Sequence, residues 1–313
     1  MEINFFTGAS GSGKSKLLYD TLIREAADGL SKRLFLVVPE QYTMMTQKNI
    51  VKAHPGHGTF NIDIVSFNRL AYRVFEELGI SLLTVIDDTG KNLILRKVID
   101  DNRDKLKIIK VKDSQGFVSE IKSIISELLQ YSVTFSMLEN AKELIGVKGI
   151  NNNERLKCKI EDILTIYRAF LEYIDQKYIT TEEITEILCK CVGRSRLLND
   201  SIVAFDGFTG FTPVQFNLIE LLFDKAKSMY FTVTLPQNAD EQLFFMSYDM
   251  IKKISDRADK NGILTKRVQI DKDMVPYRFA NNAQLAHLER ELFRRQSVYD
   301  GDVDNLLVYQ AFG

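Results

Sequence analysis

"INFFTGASGSGKSKLLYD", residues 3–20, decides the fold class. "INFFT" has the apolar weight of a buried strand, a glycine-rich run follows at once, and a helical pattern begins after it. The run "GASGSGKS" satisfies G-x-x-x-x-G-K-[ST] at Gly8, Gly13, Lys14 and Ser15, with Ala9, Ser10, Gly11 and Ser12 between. Glycines let the backbone curl so that its amides face a phosphate, and the helix N-terminus adds positive potential. Lys14 is placed to reach the β- and γ-phosphates, and the Ser15 hydroxyl to ligate magnesium. A strand directly before and a helix directly after are the context this motif requires. The eight residues from Gly8 to Ser15 are therefore read as a nucleotide-binding loop.

Working outward, strand and helix alternate. "RLFLVVP" (33–39) is a second buried strand stopped by Pro39, and a helix is predicted from about 41 to 53. "IDIVS" (62–66) is a third strand, with Ser66 able to cap a helix whose face carries Leu70, Val74 and Leu78 and which Gly79 ends. Such alternation predicts a parallel sheet with helices on its faces. Between about 87 and 200 strand-like runs disappear, and helices are predicted near 88–102, 114–131, 135–145, 154–177 and 181–192. Thr180 and Glu183 have capping-box spacing before the last of these. The α/β pattern resumes with strands at 201–206, 229–235 and 263–270 and helices at 213–226 and 245–260, and "AQLAHLERELFRR" (283–295) reads as a further helix. The expected division is an α/β domain over 1–86 and 201–313, with 87–200 an inserted all-helical subdomain. The closing "NLLVYQAFG" (305–313) reads as a strand and suggests part of a longer chain.

Composition narrows the classes. A chain of 313 residues with 45% hydrophobic residues and 5 prolines has the makings of a compact, ordered protein of about two domains. Its formal net charge of -1 gives no global attraction to nucleic acid or anionic lipid, so a nucleic-acid site must be a local patch. No apolar run is long enough to span a membrane, and "MEINFF" lacks the basic flank of a signal peptide, so a cytoplasmic protein is expected. Cys158, Cys189 and Cys191 are read as reduced packing residues rather than metal ligands, and His54, His57 and His287 do not make a zinc site. The basic runs "KLKIIKVK" (105–112) and "RELFRR" (290–295) read more readily as solvated faces than as duplex contacts.

"IVAFDGFTGFTPVQF" (202–216) supplies the second half of the site. Asp206 ends a buried strand, where the other protein contact to magnesium belongs; the alternative is a plain turn or helix-capping aspartate. An active ATPase follows that aspartate with a base able to activate water, and here Gly207 follows. No catalytic residue is expected.

The order of phosphate loop, "VVPEQYT" (37–43), "VSFNRLAYRVF" (65–75), helical stretch and "FDGFTGFTPVQFNLIELL" (205–222) resembles the N-terminal half of the AddB (RexB) family. That family is the second subunit of the bacterial AddAB-type ATP-dependent helicase–deoxyribonucleases, and the resemblance covers essentially the whole chain. It implies a P-loop NTPase fold, RecA-like and superfamily 1 helicase-like, interrupted by helices. Active relatives carry roughly D-E-x-Q-D followed by T-x-P-x-Q; here Gly207, Thr209 and Gly210 replace the glutamate, glutamine and second aspartate, while Pro213 and Gln215 keep their places. The resemblance implies ATP with Mg²⁺ on Ser15 and Asp206, an AddA-type helicase–nuclease partner, and recognition of single-stranded DNA of the Chi type. It places the family's iron–sulfur cluster, nuclease and completing arginine beyond this chain. Gln41, Thr43, Phe67, Arg69 and Tyr72, in the segments after the second and third strands, are the implied DNA contacts, joined by Phe208 and Phe211 unless those two pack the sheet. Two rivals remain: an independently active P-loop ATPase or kinase, and a scaffold for the partner.

Overall fold

The computed structural model describes residues 1–27, 33–56, 58, 61–109, 115–147, 154–270, 277–292, 297–304, 306–307 and 309. The chain divides into two compact units. One comprises Met1–Leu70, Arg196–Phe211 and Leu222–Gly313, the other Ala71–Ser195 and Thr212–Leu221.

The first unit holds the sheet. β1 (Glu2–Gly8) passes through the phosphate loop into α1 (Lys14–Ala27), and β2 (Leu34–Val37) leads to α2 (Thr43–Ala53). β3 (Ile62–Val65) precedes α3 (Phe67–Leu78), the helix in which the division between units falls. Six strands make the sheet in the order β3-β2-β6-β7-β1-β8, after β6 (Ser201–Phe205), β7 (Ala226–Thr234) and β8 (Leu264–Gln269) have joined. Every neighbouring pair is parallel, as the alternation of strand and helix predicted. The remaining helices of this unit are α10 (Phe245–Lys260) and α11 (Ala283–Glu291).

Pleating sends successive side chains to opposite faces, and both faces are covered. On one, Phe6 and Tyr230 lie 5.7 Å apart with Leu18 and Leu22 of α1 and Ile50 of α2 in the same buried cluster. On the other, Phe231 stacks on Phe205 at 4.8 Å and on Phe5 at 5.5 Å. Each fully buried side chain of this size contributes roughly 1.5–3 kcal/mol. β8 is one edge of the sheet, opposite β3, and its residues are mostly exposed.

The second unit is mainly helical: α4 (Asp88–Asp101), α5 (Gln115–Gln130), α6 (Phe135–Val147), α7 (Glu154–Ile174), α8 (Glu183–Cys191) and α9 (Pro213–Leu221). Leu95, Val98, Ile125, Ile166 and Phe170 are central to its buried cluster. Two charges are buried with partners. Lys91 lies 2.8 Å from Glu182, and Asp162 accepts backbone N–H bonds from Lys107, Ile108 and Ile109 at 2.7–2.8 Å.

The expectation of no strand between 87 and 200 is corrected. β5 (Tyr178–Thr180) pairs in parallel with β4 (Thr84–Ile86), a three-residue ladder too short to leave a sequence pattern. Glu183 accepts from the Thr180 N–H at 2.6 Å, one arm of the capping box, while the buried Thr180 hydroxyl has no hydrogen-bond partner among the described residues. Ser66 caps α3 through the Arg69 N–H at 3.3 Å, and Gly79, at φ +65°, ends it as an Ile80 N–H bond to Phe75 closes the turn. Of "NLLVYQAFG", Leu306, Leu307 and Tyr309 are outside any strand, and the other residues lie outside the description. His57, Lys110–Lys112 and Phe293–Arg295 lie outside it as well.

Candidate nucleotide site

Because all six strands run the same way, their carboxyl ends gather on one rim, the usual ligand edge of an open α/β sheet. β7 lies between β6 and β1, so Asp206 after β6, Thr232 on β7 and the phosphate loop after β1 converge there. A cavity of about 940 Å³ opens at this point, lined by Gly11, Gly13, Lys14, Ser15, Asp206 and Thr232 among others.

The loop has the curl its glycines allow, with Gly11 at φ +78° and Gly13 at φ +99°. Lys14 is buried, and its ammonium donates to the carbonyls of Gly8 (3.1 Å) and Ala9 (2.7 Å). Those neutral contacts are the kind a phosphate can replace with a charged partner. The Ser12 hydroxyl is buried and makes no hydrogen bond among the described residues, an orphan donor in the segment that would wrap a phosphate.

Asp206 closes the other side. Its backbone N–H bonds to Val37 at 3.0 Å, which fixes it at the strand end. Its carboxylate accepts from the hydroxyls of Ser15 (2.8 Å), Thr232 (2.5 Å) and Tyr19 (2.9 Å). Burial, and then the Asp206 charge, push the Tyr19 phenol well above its ordinary range, so it stays a donor. Ser15 and Asp206 are hard oxygen donors in contact, a pair that fits magnesium. Bound with nucleotide, that ion would supply charge neutralisation at the phosphates.

The loop beyond Asp206 is different. Gly207 sits at φ +80° and is exposed, and a glutamate there would meet the left-handed penalty of roughly 1–2 kcal/mol. Phe208 and Phe211 lean on Phe67 at 5.5 and 6.2 Å, and on each other at 5.0 Å. From Gly207 to Phe211 there is no carboxylate. Among the described residues the carboxylates lining the cavity are Asp206 and Asp20, the latter more than a turn of α1 beyond Ser15.

The residues expected to meet DNA divide by exposure. Gln41, Arg69 and Tyr72 are exposed, with Arg69 ion-paired to Glu40 at 3.2 Å. Thr43 is buried and donates to the Glu40 carbonyl at 2.9 Å, and Phe67 is 7% exposed within the aromatic cluster. In this conformation these two side chains cap and pack. Phe208 and Phe211 are half-buried. Tyr19, Thr232 and Arg278 at the cavity were not picked out from sequence. Tyr19 had a signal, four residues after Ser15 and so on the same helix face; Thr232 and Arg278 arrive through tertiary structure alone.

Comparison with known proteins gives the family. The family model described as "ADDB, N-terminal" matches residues 5–289. The ATP-dependent helicase/deoxyribonuclease B subunit of Lachnoclostridium phytofermentans is 40% identical over 94% of this chain and 26% of its own length. Those of Caldanaerobacter subterraneus subsp. tengcongensis and Clostridium kluyveri are 32% and 30% identical over 99% of the chain and 27% of their own lengths. The chain thus spans about a quarter of the length of these curated relatives. With most of its length matched by that model, the chain belongs to the ADDB N-terminal family.

Proposed function

We propose that this chain is a nucleotide-binding but hydrolysis-silent helicase-like module of a helicase–deoxyribonuclease that processes double-strand DNA breaks in the cytoplasm. One observation carries the reading. Ser15 and Asp206 are hydrogen-bonded at 2.8 Å beneath an intact phosphate loop, while the five residues after Asp206 offer no group to activate water. Gly8–Ser15 would hold the phosphates of ATP, with Mg²⁺ on Ser15 and Asp206. Binding would fix the strand ends that carry the loops, without turnover. The names of the relatives support an assembly with a second, A-type chain that couples ATP to unwinding and degradation.

Single-stranded DNA is the proposed second ligand, read by sequence as at Chi. Its exposed contacts would be Gln41, Arg69 and Tyr72, with the half-buried Phe208 and Phe211 beside them. Thr43 and Phe67 would support these contacts from beneath. The segment 87–200 is proposed as an insertion into the helicase-like domain formed by 1–86 and 201–313.

The rival, an independently active ATPase or kinase, has one observation in its favour, the second cavity carboxylate, Asp20. DNA-stimulated phosphate release by the purified protein separates the two. The expected result is none above background in wild type and Asp20→Asn alike. Turnover that is lost in Asp20→Asn overturns the proposal.

A further inference from the structure

The phosphate loop motif explains Ser15 and the strand end explains Asp206, but neither explains the phenol beside them. Tyr19 lies one turn of α1 beyond Ser15, and it is buried. Its hydroxyl donates to Asp206 Oδ2 at 2.9 Å. The other carboxylate oxygen, Oδ1, accepts from Ser15 at 2.8 Å and from Thr232 at 2.5 Å. The two oxygens therefore have separate surroundings. Oδ1 is joined to the phosphate loop through Ser15, and Oδ2 is engaged by Tyr19.

The phenol is itself held in place. Tyr19 belongs to the buried cluster that contains Leu18, Leu22 and Ile50, and the buried Thr46 hydroxyl of α2 meets the phenol oxygen. Close packing keeps such a ring where it is. Turning the ring about its own axis leaves the phenol oxygen in position, because that oxygen lies on the axis. A serine hydroxyl swings away with a single torsion, so Ser15 can leave Asp206 for a cation while Tyr19 stays.

This asymmetry bears on which cation fits. Calcium accepts many oxygens in a flexible shell and often takes both from one carboxylate. Magnesium demands a tight octahedral shell and keeps several waters in it, which suits a contact through one carboxylate oxygen. We propose that Tyr19 is a positioning residue that makes the site selective for magnesium over calcium, by keeping Asp206 to a single-oxygen contact through Oδ1. It acts through Asp206 and not as a ligand. The assignment rests on the reading of the loop as a nucleotide site.

The test is calorimetric titration of the protein in its full-length form with ATP, once with magnesium and once with calcium. Wild type is compared with Tyr19→Phe and with Tyr230→Phe, which removes a phenol from the same buried cluster but outside the cavity lining. Thermal midpoints without nucleotide confirm folding. Wild type is expected to prefer ATP with magnesium. Tyr19→Phe should narrow that preference about tenfold, as for the loss of one hydrogen bond to a charged group, and Tyr230→Phe should keep it. A wild type without the preference, an unchanged ratio in folded Tyr19→Phe, or an equal narrowing in Tyr230→Phe overturns the assignment of Tyr19 alone. Wild type that binds ATP with neither ion overturns the nucleotide site and this assignment together.

Discussion

Two buried aspartates, one in each unit, are held by three hydrogen bonds apiece, and the donors differ. Asp162, 1% exposed, accepts from three consecutive backbone N–H groups, of Lys107, Ile108 and Ile109. Asp206, 6% exposed, accepts from three hydroxyls, of Ser15, Thr232 and Tyr19. Backbone amides cannot turn away, and each left unmet in the interior costs about 1–3 kcal/mol. Hydroxyls rotate, and each can accept as well as donate. A carboxylate fixed by amides is a structural pin. One ringed by hydroxyls can exchange partners when a metal-bound phosphate arrives, and this is the arrangement found under the phosphate loop.

The contrast can be broken by substitution. Asp162→Ala strands three amides at once and is expected to cost about 4 kcal/mol of stability, read as a shift in the urea midpoint at constant slope. Phe67→Ala, which empties the centre of the aromatic cluster, should cost about 3 kcal/mol in the same experiment. A much smaller loss there would mean the ring packs loosely and is available to stack on a base. Asp206→Asn keeps the volume and an acceptor, so roughly 1 kcal/mol is expected, with magnesium-dependent ATP binding lost instead. If Asp206→Asn destabilises the fold as much as Asp162→Ala does, the two carboxylates are the same kind of pin and the contrast disappears. The last prediction is a labelling rate, at Cys189, whose thiol burial pushes up to about 11. Its thiolate fraction at pH 8 is on the order of one in a thousand, against about a quarter for an unperturbed thiol, so alkylation of the native protein should lag an unhindered thiol by roughly two hundredfold. Fast labelling of Cys189 would show that α8 opens.

How much of this was legible in the sequence depends on how local each feature is. The phosphate loop and the parallel sheet could be read because a strand, a glycine-rich turn and a helix announce themselves within twenty residues. Asp206 could be read because it ends an apolar run. Thr232 could not, since its role comes from lying on the strand between β6 and β1. Arg278 could not either, as nothing near it in the chain mentions the loop it covers. Phe67 shows a different limit. A phenylalanine after a strand end reads equally well as a base-stacking ring or as a core ring, and its burial comes from Phe205, Phe208 and Phe211, far along the chain. β5 was missed because three residues cannot show a period.

The central claim is a cradle that binds without turnover, and a single paired measurement tests it. ATP affinity and phosphate release are followed on the same preparation of wild type and Lys14→Ala, with magnesium and single-stranded DNA present. Lys14 is the cation the loop holds against its own carbonyls, so its loss should weaken ATP by about a hundredfold or more, about 3 kcal/mol for a charged hydrogen bond. Phosphate release should stay at background in both proteins. Equal ATP affinity in the two, or release by wild type that vanishes in Lys14→Ala, would contradict the account.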